Sequence, residues 1–214
     1  MAQFDLEKVK NFYNDRFEAS GDSVSSVGWG NVESQNLRFD MLLRNLSLEG
    51  KTVLDVGCGL GDLLPYLKGR FSNFDYIGLD ISNRLIGEAK RKYKNEKNVS
   101  FFESDVLSMD FSKMNVDFAL MSGTLTYRIE DNVAHAKAVL SRAYQLSQVG
   151  VASNFMSSYV DFENEKNFHY RPEEIFAFSK TLSPKVNLFH DYPLYEFTIQ
   201  ILKTGELYEH KYDR

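Results

Sequence analysis

The chain has 214 residues, a length that suits one domain. Hydrophobic residues make up 43% of it and aromatic residues 14%, which is enough apolar material for a sizeable core. The 30 acidic residues outnumber the 25 basic ones and give a net charge of −5, which argues against a general nucleic-acid binder. Cys58 is the single cysteine, so the sequence has neither a disulfide framework nor a cysteine-based metal cluster.

The beginning of the chain and its apolar stretches bear on where the protein works. The first residues, "MAQFDLEKVK", carry charges from the fifth position onward and lack the apolar core of a signal peptide. No apolar stretch reaches the length that spans a bilayer. We therefore expect a soluble cytoplasmic protein, a monomer or homodimer, with no membrane partner.

Two amphipathic helices are predicted before residue 50. "FDLEKVKNFYNDRF" places Val9, Phe12 and Tyr13 at helical spacing, and "ESQNLRFDMLLRNL" repeats that spacing through Leu37 and Met41. The segment between them, "EASGDSVSSVGWGN", is rich in Gly and Ser and is predicted to be a loop. Because these helices precede the strand pattern described next, we expect them to cover the cleft of the sheet as a cap.

From Lys51 onward, short apolar strands alternate with helices. The continuous apolar run in "TVLDVGC" is typical of a strand covered on both faces, and further strands are predicted at "YIGLDIS", "VSFFESD", "VDFALMSG" and "VGVASNFMS". Helices are predicted between them, with Ser82 as an N-cap and Pro172 in a first turn. The chain closes with "KVNLFHDY" and "EFTIQILK", whose short separation predicts a hairpin. The pattern indicates a doubly wound α/β sheet with an antiparallel strand near its edge.

This organisation predicts one domain with three parts. Residues 1–50 form the helical cap and residues 51–204 form the α/β domain. Residues 205–214 form a polar and aromatic tail that we expect to be poorly ordered.

Three alternating glycines follow the first strand. Gly57, Gly59 and Gly61 would let the backbone turn sharply and let a ligand come close at the carboxyl end of that strand. Their spacing differs from the dinucleotide fingerprint G-x-G-x-x-G, and the phosphate loop G-x-x-x-x-G-K-[ST] is absent. Asp55 would repel a pyrophosphate but attract an ammonium or a sulfonium. These features favour S-adenosylmethionine, which carries both cations and no phosphate.

Two more acids stand at the ends of the second and third strands. Asp80 can accept hydrogen bonds from both ribose hydroxyls, and Asp105 with the N–H of Val106 can recognise an adenine edge. Apolar neighbours such as Ile81 would flank the ring. A single aspartate in such a position is more often a helix N-cap, but three acids at successive strand ends favour a nucleoside site.

The motifs "VLDVGCGLGD", "YIGLDIS", "ESDVL" and "VDFALMSGTL" resemble, in this order, those of class I S-adenosylmethionine-dependent methyltransferases. The resemblance spans roughly Lys51 to Lys203. It implies a Rossmann-like sheet of order 3-2-1-4-5-7-6 with the seventh strand antiparallel, S-adenosylmethionine as cofactor and S-adenosylhomocysteine as product. The cofactor-binding residues predicted in these motifs are Asp55, Gly57, Cys58, Gly59, Gly61, Asp80, Ile81, Ser104, Asp105, Val106, Ser122 and Gly123.

The flanking segments narrow the group of enzymes but not the acceptor. "VGWGNVESQNLRF" and "NFMSSYVDFENEKNFHYRPEEIFAF" resemble a group of small bacterial methyltransferases that has no single known substrate. "MSGTLTYR" lacks the N/D-P-P-Y pattern of methyltransferases that modify amino groups of nucleic acids, and the acidic balance weakens an RNA substrate. We therefore expect methyl transfer to an oxygen or nitrogen of a small molecule or saccharide. The alternatives are a protein or RNA methyltransferase, or a cofactor-binding scaffold without catalysis.

Four residues of the helical cap are predicted at the cleft. Gln35 and Arg38 share a helix face and are predicted to bind the cofactor, although a surface salt bridge explains Arg38 equally well. Trp29 is predicted over the methionine end of the cofactor, with a local core anchor as the alternative. Tyr13 is predicted to contact substrate, although packing of the first helix explains it as well.

The segment 154–171, after the fifth strand, is the most substrate-like part of the sequence. It is long for a connection between a strand and a helix, and it is dense in polar groups. His169 is the preferred general base because imidazole titrates near neutral pH; the alternative is an exposed loop histidine. His135, in the middle of a predicted helix, is expected to be structural.

The remaining candidates lie in the same segment or after the fourth strand. No histidine and acid show a metal-ligand spacing such as H-E-x-x-H, so no metal is expected. Besides His169, the predicted catalytic residues are Tyr127 and Asp161, and besides Tyr13 the predicted substrate contacts are Tyr159, Tyr170 and Arg128.

Overall fold

The computed structural model describes residue 4, residues 6–21 and residues 31–203. Within these ranges the chain forms six helices and seven strands. The helices are α1 (Glu7–Ser20), α2 (Val32–Leu42), α3 (Leu63–Lys68), α4 (Asn83–Lys92), α5 (Asn132–Leu146) and α6 (Pro172–Leu182). The strands are β1 (Lys51–Val56), β2 (Phe74–Asp80), β3 (Val99–Glu103), β4 (Val116–Met121), β5 (Ser147–Met156), β6 (Lys185–Phe189) and β7 (Glu196–Leu202). Trp29 and the predicted tail, residues 205–214, lie outside the described residues.

The strands form one mixed sheet with the order β3-β2-β1-β4-β5-β7-β6. β1 pairs in parallel with β2 and β4, whereas β7 runs antiparallel to both β5 and β6. This order confirms the sheet predicted from the sequence, including its antiparallel seventh strand. The strand order reverses at β1, because β2 and β3 lie on one side of it and β4 lies on the other. A crevice therefore opens beyond the carboxyl ends of β1 and β4, where open α/β sheets bind ligands.

Helices cover both faces of the sheet. On one face, α5 and α6 bury residues such as Ile175 against a core that includes Leu54 of β1. On the other face, α2, α3 and α4 bury Phe39 and Leu64 against a core that includes Val53. Adjacent residues of β1 therefore serve opposite cores, which explains the continuous apolar run of this strand. None of the helices in the described part of the chain is long and apolar enough to span a membrane.

Short-range capping interactions fix where several helices begin. The hydroxyl of Ser82 accepts a hydrogen bond from the N–H of Leu85 at 3.1 Å and caps α4, as predicted. The carboxylate of Asp131 accepts one from the N–H of Ala134 at 2.9 Å and caps α5. Pro172 is the first residue of α6, where its missing N–H leaves no bond unmade.

Some element ends differ from the predictions. The sequence predicts a helix from about Gly61 onward, but α3 begins at Leu63 because Gly61 has a φ of +78°, outside the helical region. β3 ends at Glu103, so Asp105 stands beyond the strand rather than at its end. The connection within the hairpin spans 190–195 and is longer than predicted, although the two strands pair antiparallel as expected.

The first helix lies outside the sheet and packs on α4, as expected for a cap. Its polar contacts with the body include Lys10 Nζ to Glu103 Oε1 at 2.9 Å and Ser82 Oγ to Asn14 Oδ1 at 2.6 Å. Within α1 the only residue classed as fully buried is Val9. Helix α1 is therefore held by polar contacts and a small apolar area.

Candidate functional site

A pocket that is partly open to solvent lies at the carboxyl ends of β1 to β4, and its empty space, including the solvent at its mouth, is about 1110 Å³. The cap borders it through Tyr13 of α1 and Gln35 of α2, and the loop after β4 contributes Tyr127. Most of the predicted cofactor-binding residues meet here: Gln35, Asp55, Gly57, Cys58, Gly59, Asp80, Ile81, Ser104, Asp105, Val106, Ser122 and Gly123.

The glycine turn after β1 brings backbone to the pocket wall. Gly57 and Gly59 have φ values of +72° and +55°, in the region that favours glycine. The N–H groups of Gly57 and Cys58 both donate to the carbonyl of Leu79, at 2.7 and 3.0 Å. A Cβ on Gly57 would lie 2.5 Å from Cγ2 of Thr124, so the turn has no room for a side chain there.

The third glycine of the motif occupies a different place. Gly61 is absent from the residues that line the pocket. A Cβ on it would lie 2.8 Å from the ring of Tyr93 and 3.0 Å from that of Phe101. The structure therefore places Gly61 where α4 and β3 pack closely on the turn, and not at the predicted cofactor contact.

The carboxylate of Asp80 is held in a fixed orientation at the pocket wall. Its Oδ2 accepts a hydrogen bond from the N–H of Gly59 at 2.9 Å, and its Oδ1 accepts one from the N–H of Ser82 at 2.8 Å. Burial raises the pKa of Asp80, and the backbone hydrogen bonds act in the opposite direction. Since a carboxylate offers about four lone pairs, both oxygens can still accept hydrogen bonds from a ligand.

Asp105 is held beside the same pocket by its own turn. Its Oδ1 accepts a hydrogen bond from the N–H of Leu107 at 3.1 Å. The N–H of the preceding Ser104 donates to the carbonyl of Asp80 at 2.9 Å, which ties the two acids together through the backbone. Tyr13 lines the same pocket. Burial, and then the charge of Asp80, raise the pKa of Tyr13 to about 12.

Asp55 is the most deeply buried acid of the pocket, with 3% of its surface exposed. The hydroxyl of Tyr76 donates a hydrogen bond to its Oδ2 at 2.5 Å. Burial raises the pKa of Asp55 to about 7; the hydrogen bond from Tyr76 lowers it, and the charges of Asp80 and Asp62 raise it. With Asp62, three carboxylates gather at one end of the pocket, which favours a cationic ligand.

The pKa of Asp55 predicts how unfolding depends on pH. Between about pH 4 and about pH 7 the unfolded chain has released this proton while the folded protein keeps it, so rising pH favours unfolding. Relative to Asp55→Asn, the free energy of unfolding of the ligand-free protein should fall by up to about 1.4 kcal/mol per pH unit across this window. Urea unfolding of both proteins at four pH values would measure the difference. If the free energies of unfolding of the two proteins change with pH in parallel, Asp55 does not have a raised pKa in the folded protein.

Three polar residues that line the pocket were not predicted to lie at the ligand site. Asp62 accepts a hydrogen bond from Gln35 Nε2 and pairs with Lys92 Nζ, both at 3.3 Å. Thr124 donates its hydroxyl proton to the carbonyl of Val56 at 2.6 Å. His135, which was expected to be structural, lines the pocket from α5. Val139, four residues further along α5, lines the same pocket, but helical spacing alone does not show which face of a helix meets a site.

Two polar atoms of the pocket residues are buried without a hydrogen-bond partner. They are Oγ of Ser122 and Nε2 of His135. Buried polar groups in folded proteins nearly always have a partner, so these atoms are candidates for contact with a bound ligand.

The segment after β5 is joined to the loop that lines the pocket. The N–H of Phe168 donates to the carbonyl of Thr126 at 2.8 Å, and the hydroxyl of Tyr170 donates to the carbonyl of Leu125 at 2.8 Å. Arg128 donates to the carbonyls of Glu165 and Asn167 at 3.0 and 2.8 Å. Of the described residues that line the pocket, none comes from 157–171. This segment therefore contacts the loop after β4, which lines the pocket, but does not line the pocket itself.

The predicted substrate and catalytic residues of this region therefore have different positions. Tyr170 is 1% exposed and its hydroxyl is used inside the core, which places it away from the predicted substrate contact. The guanidinium of Arg128 binds the carbonyls of Glu165 and Asn167 and so holds the segment in place. Asp161 and Tyr159 are exposed, and the ring of Tyr159 lies 5.9 Å from that of His190.

His169 is buried rather than exposed, with 9% of its surface accessible. Its Nδ1 lies 2.8 Å from the carbonyl of Ser157, and its Nε2 is buried without a hydrogen-bond partner. Because a carbonyl can only accept, Nδ1 carries the proton in the neutral ring and Nε2 keeps a lone pair.

Arg38 has a carboxylate partner within the protein. Its Nε donates to both carboxylate oxygens of Glu196, at 2.8 and 2.9 Å. Both side chains are largely buried, so this pair joins α2 to the start of β7. The structure thus gives Arg38 a structural ion pair in place of the predicted cofactor contact.

In residues 6–21 and 31–203, no three His, Cys, Asp or Glu side chains lie close enough together to hold a metal ion. That no metal is required remains a prediction.

Comparison with known sequences identifies relatives of the chain. Residues 53–148 match the family model described as a methyltransferase domain. The chain is 30% identical over 161 residues to "Putative methyltransferase Rv1506c" of Mycobacterium tuberculosis, and the match covers 72% of this chain and 94% of that protein. The match to nearly the whole relative shows the family.

Solved structures share the fold at low sequence identity. Magnesium protoporphyrin IX methyltransferase from Synechocystis PCC 6803, solved with bound SAH, superimposes with a TM-score of 0.66 at 17% identity over 94% of this chain and 100% of that one. Mycolic acid cyclopropane synthase complexed with SAH and CTAB gives a TM-score of 0.65 at 15% identity over 87% of this chain and 78% of that one. With its sheet order, its glycine turn and its relatives, this chain belongs to the class I S-adenosylmethionine-dependent methyltransferases.

Proposed function

We propose that this protein binds S-adenosylmethionine in the pocket at the carboxyl ends of β1 to β4 and methylates an oxygen or nitrogen of a small molecule or saccharide. The observation that carries the proposal is the cluster of Asp55, Asp62 and Asp80 around a glycine turn in one pocket. When bound, S-adenosylmethionine supplies a methyl group that its sulfonium already activates.

The residues of the pocket fit this cofactor in charge and shape. Asp62, and Asp55 in its ionised form, would attract its cationic methionine end, next to backbone that the glycine turn leaves uncovered. The oriented carboxylate of Asp80 would accept hydrogen bonds from the ribose hydroxyls. Asp105 and Val106 would hold the adenine, and the unpaired hydroxyl of Ser122 gives the ligand a further polar partner.

Exposed aromatic and acidic side chains on and beside the segment that is joined to the loop after β4 support a small polar acceptor. Tyr159, Phe162 and Tyr195 are 65%, 79% and 68% exposed, and the N–H of Ser157 donates to the carbonyl of Tyr195 at 3.0 Å. Asp161 follows in the same exposed stretch. Aromatic rings with a few polar groups are typical of small-molecule sites, and they can pack on the apolar faces of a sugar while the acids accept from its hydroxyls.

His169 is the proposed general base for the acceptor. The hydrogen bond from Nδ1 to Ser157 fixes the tautomer and the ring orientation, which leaves the lone pair of Nε2 available. An acceptor hydroxyl that reaches Nε2 would transfer its proton there as it attacks. An acceptor ammonium would transfer a proton there before it attacks, because only the neutral amine has a lone pair. The anchoring of this segment to the loop after β4 supports the placement of the base beside the cofactor pocket.

The proposal is tested in two steps with the full chain. Binding of S-adenosylhomocysteine is measured first by calorimetry, and turnover with S-adenosylmethionine is then followed by mass spectrometry for a panel of small alcohols, amines, saccharides, a peptide library and total RNA. Methylation of a small molecule or saccharide supports the proposal. Absence of binding, methylation of peptide or RNA alone, or binding without turnover on any acceptor would overturn it.

Replacing His169 with glutamine is expected to lower kcat by about 10²- to 10⁴-fold, because the amide cannot take up the proton. The affinity for S-adenosylhomocysteine should stay within about twofold, since the base acts on the acceptor. His190→Gln, a change at an exposed histidine, is the matched control and should retain its kcat. Steady-state kinetics and calorimetry distinguish the two effects, and an unchanged kcat in His169→Gln would remove the base from this position.

A further inference from the structure

His135 lies near the start of α5 and lines the pocket. It lies one turn into α5, where Asn132 fixes the preceding loop: the side chain of Asn132 accepts from the N–H of Ile129 at 2.9 Å and donates to the carbonyl of Tyr127 at 2.8 Å. The imidazole lines the pocket and is 9% exposed. Its Nε2 is buried and has no hydrogen-bond partner.

The neighbours of His135 locate it at one end of the pocket. The charge of Asp105 acts on the imidazole, and the ring of Phe4 packs against it with centroids 4.8 Å apart. Val139, one turn further along α5, lines the same pocket. Asp105 and Val106, which follow β3, lie at this end of the pocket. Asp55 of β1 and the glycine turn after β1 form another part of the pocket wall.

Burial favours the neutral form of the His135 imidazole, and this form determines which hydrogen bonds the ring can make. Burial lowers the pKa of His135, and the charge of Asp105 opposes this shift only in part. A neutral imidazole carries one donor and one acceptor, and the tautomer decides which of them Nε2 presents. The edge of an adenine, with an amino group and ring nitrogens, offers a partner for either form.

We propose that His135 recognises the base of the cofactor, with Nε2 forming a hydrogen bond to the adenine edge beside the contacts of Asp105 and Val106. This inference rests on the proposed function, because it assumes that the nucleoside end of S-adenosylmethionine lies between β2, β3 and α5. It assigns to His135 a role in selecting the base rather than in methyl transfer.

The test measures binding of three nucleosides to three variants. S-adenosylhomocysteine is compared with its 7-deaza analogue and with S-inosylhomocysteine, in which an oxo group replaces the amino group. His135→Ala should bind S-adenosylhomocysteine about tenfold more weakly, and the preference of the wild type for adenine over at least one analogue should narrow. His135→Gln, whose amide can reach the place of Nε2, should recover most of the affinity. His190→Gln is the control and should match the wild type.

Two results would overturn the inference. One is an unchanged affinity of His135→Ala for S-adenosylhomocysteine; the other is an equal loss of affinity for all three nucleosides, which would indicate packing alone. If His135→Ala does not fold, ¹⁵N spectra of the wild-type imidazoles decide, with the signal assigned by its loss in His135→Gln. An Nε2 resonance that does not move on addition of S-adenosylhomocysteine overturns the inference as well. Absence of binding by the wild type would instead contradict the proposed function.

Discussion

Replacing Asp80 with alanine should weaken the binding of S-adenosylhomocysteine by ~1.5–3 kcal/mol, or about 10- to 150-fold. The carboxylate is oriented by the N–H groups of Gly59 and Ser82, so it can accept from two ribose hydroxyls without further ordering. Calorimetry measures the loss. Asp75→Ala is the matched control, because Asp75 is an exposed residue near the start of the same strand.

A second nucleoside separates the lost ribose contact from a disturbed turn. The alanine also leaves the N–H groups of Gly59 and Ser82 without their acceptor, which alone could loosen the wall of the pocket. A 2′-deoxyribose analogue of S-adenosylhomocysteine should bind the wild type more weakly than the parent compound, whereas Asp80→Ala should no longer distinguish the two. If the variant distinguishes them as the wild type does, Asp80 is not the ribose ligand.

The sheet could be predicted from the sequence because each of its parts has a local cause. Val53 and Leu54 face opposite cores, so the strand reads as a continuous apolar run without reference to any distant residue. Ser82 and Pro172 mark helix starts through their own chemistry. Strand order came from the resemblance to a family, since the sequence pattern alone specifies alternation and not neighbours.

The residues of the glycine turn and the strand ends could also be placed from the sequence. Parallel strands bring their carboxyl ends to one edge of the sheet, so Asp55, Asp80 and Asp105 had to lie near one another. Gly61 shows the limit of this argument. Its positive φ follows from the turn, but what it approaches depends on Tyr93 and Phe101, which later elements supply.

Other side chains were placed by contacts that no local pattern contains. Arg38 pairs with Glu196 across most of the chain, and only the packing of α2 on β7 brings them together. His169 and Tyr170 are adjacent in the sequence, yet their side chains bind different parts of the protein. Nδ1 of His169 binds the carbonyl of Ser157, and the hydroxyl of Tyr170 binds the carbonyl of Leu125. The face of α5 that meets the pocket, with His135 on it, depends in the same way on how that helix lies on the sheet.

Gly57→Ala should lower the free energy of unfolding by about 2–5 kcal/mol. At a φ of +72° a side chain costs roughly 1–2 kcal/mol, and overpacking of a filled site commonly adds about 1–3 kcal/mol. The new Cβ would lie 2.5 Å from Cγ2 and 2.6 Å from Oγ1 of Thr124, whose hydroxyl is bound to the carbonyl of Val56. Because Thr124 lines the pocket, its displacement should also weaken the binding of S-adenosylhomocysteine.

A matched glycine and a double variant make this prediction specific. Gly87 lies on the exposed side of α4 with nothing within 4 Å of a Cβ, so Gly87→Ala should stabilise the protein by about 0.5–1 kcal/mol and leave binding unchanged. In a double-mutant cycle, Thr124→Ala should recover the part of the loss in Gly57→Ala that is due to Cγ2 and Oγ1, but neither the part due to φ nor the contact with the remaining Cβ at 2.9 Å. Urea unfolding and calorimetry measure both quantities. If Gly57→Ala is as stable as Gly87→Ala and binds the nucleoside equally well, the glycine turn is not the close-fitting wall of the cofactor pocket.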